Sequence, residues 1–533
     1  MSESFDYIVV GGGSSGCVMA SRLSENPNSH VLLIESGHND GHPWIHIPST
    51  FFKVIEKGRD IVAYVGEPTP ELNNRPSVVL QGHVIGGGSS VNAMLYIRGH
   101  ANDYNQWAQL GNRGWAYDDV LPVFRDLERN TVLSDEFHGT KGELTVSKTR
   151  YQHPLSQAFV QAAQEAGLPH NPDFNGAEQQ GAGFYQTTTA DGRRWSAAQA
   201  FLRKAEKRGN LTIRTQTRVA RVTFDGSRAT GVMLEDGTRI AAKAEVILCA
   251  GAIETPRLLQ LSGVGPGAHL QSLGIPVVSD LPGVGENYQD HLESTVQGET
   301  HDPISLMGHD KGLKAAMHFL KYMTTRRGLM ASNVVECGGF ADVSGAGQPD
   351  IQFHVLPFMV GWVDRQPIEK HGIAIGPCFL RPKSRGSVRL RSAKPQDKAL
   401  FDAGSFKDSD DLEVLVRGVL KGIEILEAPA LARLIKRRHL PEPGLEKDLN
   451  GLRDYVRQTA KTVYHPVGTA KMGPDSDRMA VVDSELRVKG VTGLRVADAS
   501  VMPTLVSGNT NAPTMMIAER CARFITQKNK VAA

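Results

Sequence analysis

Near the start of the chain an apolar run at residues 7–10 gives way to a glycine-rich turn. Val18, Met19, Ala20 and Leu23 then follow at helical spacing, and a second apolar run occupies Val31–Ile34. Short unbroken apolar runs bounded by turn residues predict buried strands, so this segment reads as strand, helix, strand. The strand pattern returns from about residue 211, in LTIRTQTRVARVTFD and GVMLEDGTRIAAKAEVILCAGA, with a buried-type run at 246–250. It returns once more at 494–498, ahead of an apolar helix over about 513–525. Alternation at 350–357 (DIQFHVLP) and 386–391 predicts half-buried antiparallel strands, with a helix around 412–426. One unit therefore gathers the beginning, middle and end of the chain around a largely parallel sheet, and a second is an antiparallel sheet with helices.

Charge narrows the partners. The 533 residues include 59 basic and 57 acidic side chains, a net charge of +2, so no overall field gathers nucleic acid and a small molecule is the expected partner. Cys17, Cys249, Cys337, Cys378 and Cys521 form no CxxC pair and no metal-type spacing, which fits a reduced, cytoplasmic protein without a metal site. The opening MSESFDYIVVGGGSSG puts acidic residues ahead of its apolar run, unlike a secretory signal, and no window approaches the ~18 apolar residues of a membrane span. A peripheral contact with a membrane electron acceptor stays open.

The first turn places Gly11, Gly13 and Gly16 in a G-x-G-x-x-G pattern between strand and helix, and the second strand ends at Glu35. Gly11 permits a tight turn, Gly13 lets backbone approach a pyrophosphate, Gly16 allows close helix packing, and Glu35 offers a carboxylate to ribose hydroxyls. Ser14 and Ser15 open the helix, whose N–H groups and dipole suit phosphate. The pattern predicts a dinucleotide site without separating FAD from NAD. A second cluster, QGHVIGGGSSVNAMLYIRG at 81–99, lets backbone around Gly87 lie against a planar ligand while serine and asparagine supply hydrogen bonds. Its apolar flanks (Val84, Ile85, Val91, Met94, Leu95) predict a buried segment rather than a surface loop.

VYHPVGTAKMG at 463–473 holds His465 in a nearly uncharged stretch, where alone it fits a buried core position better than a catalytic one. GAIETPRLLQLSGVG at 251–265 follows a strand and runs into a helix. Together with the turn glycines, the 81–99 segment and the tail NTNAPTMMIAE, these stretches resemble, in order and spacing over essentially the whole chain, the glucose-methanol-choline (GMC) oxidoreductase family. The resemblance implies an α/β fold (α+β overall): a Rossmann-like FAD domain from residues 1–150, 211–295 and 466–533, and a substrate domain from 151–210 and 296–465. It implies that Gly11, Gly13, Gly16 and Glu35 hold the adenosine and pyrophosphate end. Ser90, Asn92 and Ala93 would line the flavin, Val219 would present backbone to adenine, and Asp498 and Ala499 would lie by the pyrophosphate and ribityl chain. His465 takes the place of the family's catalytic base, with Asn511, 46 residues on, as its partner for the substrate oxygen.

The implied activity is oxidation of a primary alcohol to the aldehyde, with the hydroxyl proton passing to His465, hydride to flavin N5, and electrons to a quinone or dye-type acceptor. Segments 42–48, 331–340, 349–357 and 381–393 look most similar to L-sorbose dehydrogenases, then to polyethylene-glycol and aliphatic alcohol dehydrogenases. Tyr464, Asn333, Phe353, Phe358 and Trp362 are the substrate-side candidates, although an aromatic on an alternating strand is more often core. Two departures stand out. Where relatives read Arg-Gly-Lys this chain has Gln81-Gly82-His83, and where some tether FAD through histidine it has Val91, so FAD is expected to be non-covalent. An oxidase that makes hydrogen peroxide, a flavin-containing hydroxynitrile lyase and a binding protein with a degenerate site are the alternatives.

Overall fold

The computed structural model describes residues 3–361 and 368–532. Strand Ser4–Val10 pairs in parallel with Val31–Ile34 on one side and with Arg239–Leu248 on the other. Leu211–Arg214 extends the sheet beyond Val31–Ile34, and Leu494–Val496 adds in parallel to the end of Arg239–Leu248. The long strand Arg239–Leu248 also begins an antiparallel meander with Arg228–Leu234 and Val219–Asp225. Val10, Ile34, Leu248 and Val496 thus share one edge of the sheet, which is where an open parallel sheet places its ligand. Helix Ser14–Leu23 packs on Ser4–Val10 and Val31–Ile34, and the strands are buried, so their residues read as uninterrupted apolar runs: Ile8, Val9, Leu32, Leu33, Ile247 and Leu248 have no exposure.

The second sheet is antiparallel throughout, in the order Ile435–Leu440, Val296–Thr300, Gly372–Phe379, Ile351–Leu356, Cys337–Ala341, Gly181–Phe184. Leu292–Glu293, placed by its number with the nucleotide unit, pairs with Gly372–Phe379 and with Lys461–Thr462. Helix Ser409–Glu427 packs on this sheet because Leu412, Leu415, Val416, Val419, Ile423 and Leu426 recur at helical spacing and are buried. Asp408 caps its start by accepting from the Asp410 N–H at 3.0 Å, a contact worth about 1 kcal/mol. The five cysteines are buried and unpaired.

Candidate active site

A cavity of about 440 Å³ is walled by residues of both sheets. At one end backbone makes the wall. Helix Ser14–Leu23 starts at Gly13 with no side chain capping its first N–H groups, and Ser14 and Ser15 line the cavity. Helices Gly251–Leu261 and Asn511–Ala532 also begin on this wall, so three amino ends direct positive dipole ends toward it. A methyl group added to Gly16 would meet the Gly11 carbonyl oxygen at 1.8 Å, so this helix reaches its strand only without a side chain there. Glu35 spans the turn: one oxygen accepts from the Gly12 N–H and the other from the Gly37 N–H, each at 2.7 Å. Asp498 braces the helix at Gly251, accepting from the Gly251 N–H at 2.8 Å and the Thr255 hydroxyl at 2.6 Å.

At the other end side chains make the site, and their protons can be placed by chemistry. The His291 Nε2 lies 3.2 Å from the Leu380 carbonyl, which can only accept, so Nε2 carries the hydrogen. Burial pulls His291 down to about 3, so it is neutral and its Nδ1 is an acceptor. That Nδ1 lies 3.0 Å from Nδ1 of His465, which must therefore donate. His465 is left with a bare lone pair on Nε2, facing the Asn509 amide nitrogen at 3.3 Å. The Asn509 orientation is set from the far side. Tyr185 donates to the Phe353 carbonyl at 2.6 Å, so its oxygen accepts from the Gln352 amide, which also donates to the Asn509 oxygen at 3.2 Å. Two backbone carbonyls, Leu380 and Phe353, thereby fix the direction of every bond between them.

Asp290 holds the histidines in place. Its carboxylate accepts from the backbone N–H groups of His291 and His465, each at 2.9 Å, from the Tyr288 hydroxyl at 3.0 Å and from the Thr462 hydroxyl. Burial pushes it up to about 6 against those bonds. Tyr464, between Thr462 and His465, sits at φ +70°, a left-handed conformation that costs about 1–3 kcal/mol for a bulky residue and persists only where its surroundings over-determine it. Burial, with the His291 and His354 imidazoles adding to it, holds His465 well below the ordinary histidine range. The imidazole is then neutral and competent to accept a proton at neutral pH.

Family models described as GMC oxidoreductase match residues 5–293 and 382–518. The chain is a GMC oxidoreductase. It is 42% identical to an alcohol dehydrogenase (acceptor) of Pseudomonas putida over 99% of this chain and 97% of that protein. Identity to the mitochondrial choline dehydrogenase of Mus musculus is also 42%, over 98% of this chain and 89% of the mouse protein. Among solved structures, pyridoxine 4-oxidase from Mesorbium loti superposes with a TM-score of 0.89 at 31% identity, covering 98% of this chain and 99% of its own. An FAD-dependent oxidoreductase from Chaetomium thermophilum gives 0.90 at 28%, covering 99% and 100%. FAD is the cofactor of this family, and the cavity of this GMC oxidoreductase fits it. A methyl group on Gly88 or Gly251 would meet nothing within 4 Å, so both leave open floor along the cavity, beside the three helix ends that suit a pyrophosphate.

Most expected cofactor positions lie on this wall: Gly11, Gly13, Ser14, Ser15, Glu35, Gly87, Asn92, Ala93, Val219, Asp498 and Ala499. Ser90 and Gly16 do not. Ser90 is fully buried and its hydroxyl donates to the Ile85 carbonyl at 2.8 Å, bracing the glycine turn instead of lining the flavin. Asn511 is not the partner of His465. As the first residue of the last helix it accepts from the Ser14 hydroxyl at 2.8 Å, on the nucleotide side. Tyr464 lines the cavity. Phe353 is core, packed between sheet and helices, because its strand turns that face away from the cavity. Phe358 stands behind Phe52 in an edge-to-face contact, ring centroids 5.7 Å apart, and Phe52 makes the wall. Asn333 donates to the Ala93 and Val335 carbonyls at 3.0 and 2.8 Å, so it supports the wall from outside. Trp362 lies outside the described residues.

Sequence reasoning missed Asn509, Asp290, His291, Gln352 and the Glu293–His354 pair, whose 2.6 Å contact lines the cavity. For Asn509 a signal was available. In NTNAPT the second asparagine directly precedes an apolar helical repeat, the place of a helix-start residue, which leaves the first in the loop facing His465.

Proposed function

We propose that this GMC oxidoreductase oxidises a primary alcohol to the aldehyde, with His465 as the base. The observation that carries this reading is the lone pair that the Leu380–His291 contact forces onto His465 Nε2, opposite the Asn509 amide. Bound FAD supplies the hydride acceptor, flavin N5, for the carbon that bears the hydroxyl. An alcohol entering between the two side chains gives its proton to His465, and the Asn509 N–H holds its oxygen, so the developing alkoxide is met by fixed donors without rearrangement. Val91, at the tether position, offers no atom for a covalent link, so the cofactor is dissociable. The division into FAD-domain segments 1–150, 211–295 and 466–533 and substrate-domain segments 151–210 and 296–465 is part of this proposal, except that Leu292–Glu293 goes with the antiparallel sheet it pairs with.

Phe51, Phe52, Ile55, Val335 and Leu356 line the cavity and favour an alkanol or glycol over a sugar such as L-sorbose. A second reading rests on Glu293: a carboxylate in the wall suits a cationic alcohol, and choline dehydrogenases are among the relatives. The electrons pass to a quinone or dye-type acceptor. The test is an anaerobic screen in which sugars, polyols, glycols, alkanols and choline are scored by loss of the oxidised-flavin absorbance. Bleaching by alkanols or glycols first supports the reading, whereas choline first favours the Glu293 alternative. No bleaching by any alcohol overturns the assignment, and hydrogen peroxide formed in step with alcohol consumption in air overturns the acceptor.

A further inference from the structure

Helix Gly312–Thr325 buries little of itself. Of its 14 residues only Tyr322 is buried, with Ala315 and His318 half-buried on the same side. That side is tied down: the Tyr322 hydroxyl donates to the Gly192 carbonyl at 3.1 Å, and His318 meets His309 at 2.9 Å. The opposite side is apolar and turned outward. Leu313, Met317, Phe319, Leu320 and Met323 are each between 49% and 77% exposed, five of the large apolar side chains left open on the described surface. At 100° per residue, Leu313, Met317 and Leu320 fall within one narrow arc, with Met323 at its edge and Phe319 further round on the flank away from the lysines. A contiguous apolar face of this kind marks an interaction surface, because a soluble helix would place polar residues there.

The charges around it decide between partners. Lys311, Lys314, Lys321 and Arg327 are exposed, Arg326 closes the helix, and Asp310 is the one acid between residues 308 and 328. Lys314 and Lys321 lie one above the other along one flank of the apolar arc, where long side chains keep their ammonium groups beside an apolar layer. At 14 residues the helix is too short to span a bilayer, and no helix among the described residues is long and apolar enough to do so. An apolar face with a basic flank and a polar underside is the form of a helix that lies in the plane of an anionic membrane. The helix packs on the turn Leu329–Ala331, which packs on the turn Pro48–Thr50, immediately before the cavity residues Phe51 and Phe52.

We infer that this helix docks the enzyme on an anionic phospholipid surface, beside the mouth of the cavity. The inference goes beyond the proposed chemistry and does not depend on it. It is tested by floating the flavin-loaded, full-length protein with vesicles of about 7:3 phosphatidylcholine to phosphatidylglycerol, and with phosphatidylcholine alone. The parent is expected to bind the anionic vesicles at least ~10-fold more than the neutral ones, and less as salt is raised. L313Q/M317Q/L320Q should lose ~10-fold or more of that binding, while its turnover with a soluble dye stays at the parent's level. K311Q/K314Q/K321Q should lose the preference for anionic vesicles. The inference is overturned if the parent stays unbound at low salt, or if the triple apolar variant floats as the parent does. It is equally overturned if sedimentation shows that the apolar substitutions break a dimer of an enzyme that ignores vesicles.

Discussion

Around the nucleotide turn the cavity wall is backbone, and around His465 it is side chain. The first wall comes from short stretches, each nearly complete in itself: a turn at Gly11–Gly16, a carboxylate one strand later at Glu35, a second glycine turn at 86–88. Its chemistry is that of N–H groups and dipoles, which the fold provides whenever the turn forms. The second wall presents His465 and Asn509, backed by His291, Gln352 and Tyr185 from separate parts of the chain, and its function depends on which atom of each ring or amide carries hydrogen. A cofactor cradle can therefore be lost by adding one carbon, whereas a proton-accepting site can keep its shape and lose its tautomer.

The largest expected effect is on the cradle. Gly16→Val forces a side chain into the Gly11 carbonyl and should yield protein with no yellow colour even after FAD is added, measured by flavin absorbance after desalting. Next come the two asparagines, which the contrast separates. Asn509→Ala should slow flavin reduction in the loaded enzyme by about 10²-fold, as expected for removal of a donor to a developing oxyanion. Asn511→Ala should leave that rate within about 3-fold and instead weaken FAD retention, because its contact is with Ser14. A slower rate in both, with equal FAD binding, would erase the distinction. The smallest effect is at His291. His291→Ala should cost about 10-fold in kcat with little change in KM, and His291→Gln, whose oxygen can accept from His465 Nδ1, should restore most of it. Equal loss in both variants would assign His291 to packing alone.

How much the sequence revealed follows the same division. The strands at 7–10, 31–34, 246–250 and 494–498 and the helix at 412–426 were legible because apolar periodicity is local. Glu35 was legible because its spacing from the turn is set by one helix and one strand. Asn511 is what the family resemblance offers as the partner of His465, and the structure puts Asn509 there instead, because position along the chain does not say which residue of a loop faces inward. Phe353 stands between pocket and core in the sequence for the same reason, with core the more frequent outcome: alternation gives two faces without saying which one meets the cavity. His291 and Gln352 carried no local signal, since their roles exist only when Leu380, Tyr185 and Phe353 are brought beside them.

The central claim is that His465 Nε2 takes the proton from the alcohol. The most direct measurement is single-turnover flavin reduction without oxygen, in the parent and in His465→Ala, across pH. The parent should reduce its flavin at a constant rate down through the ordinary histidine range near ~6.5, slowing only at lower pH as the imidazole gains its proton, because burial holds His465 well below that range. His465→Ala, still yellow, should be about 10²–10⁴-fold slower. A variant that bleaches as fast as the parent, with the same pH dependence, would contradict the account.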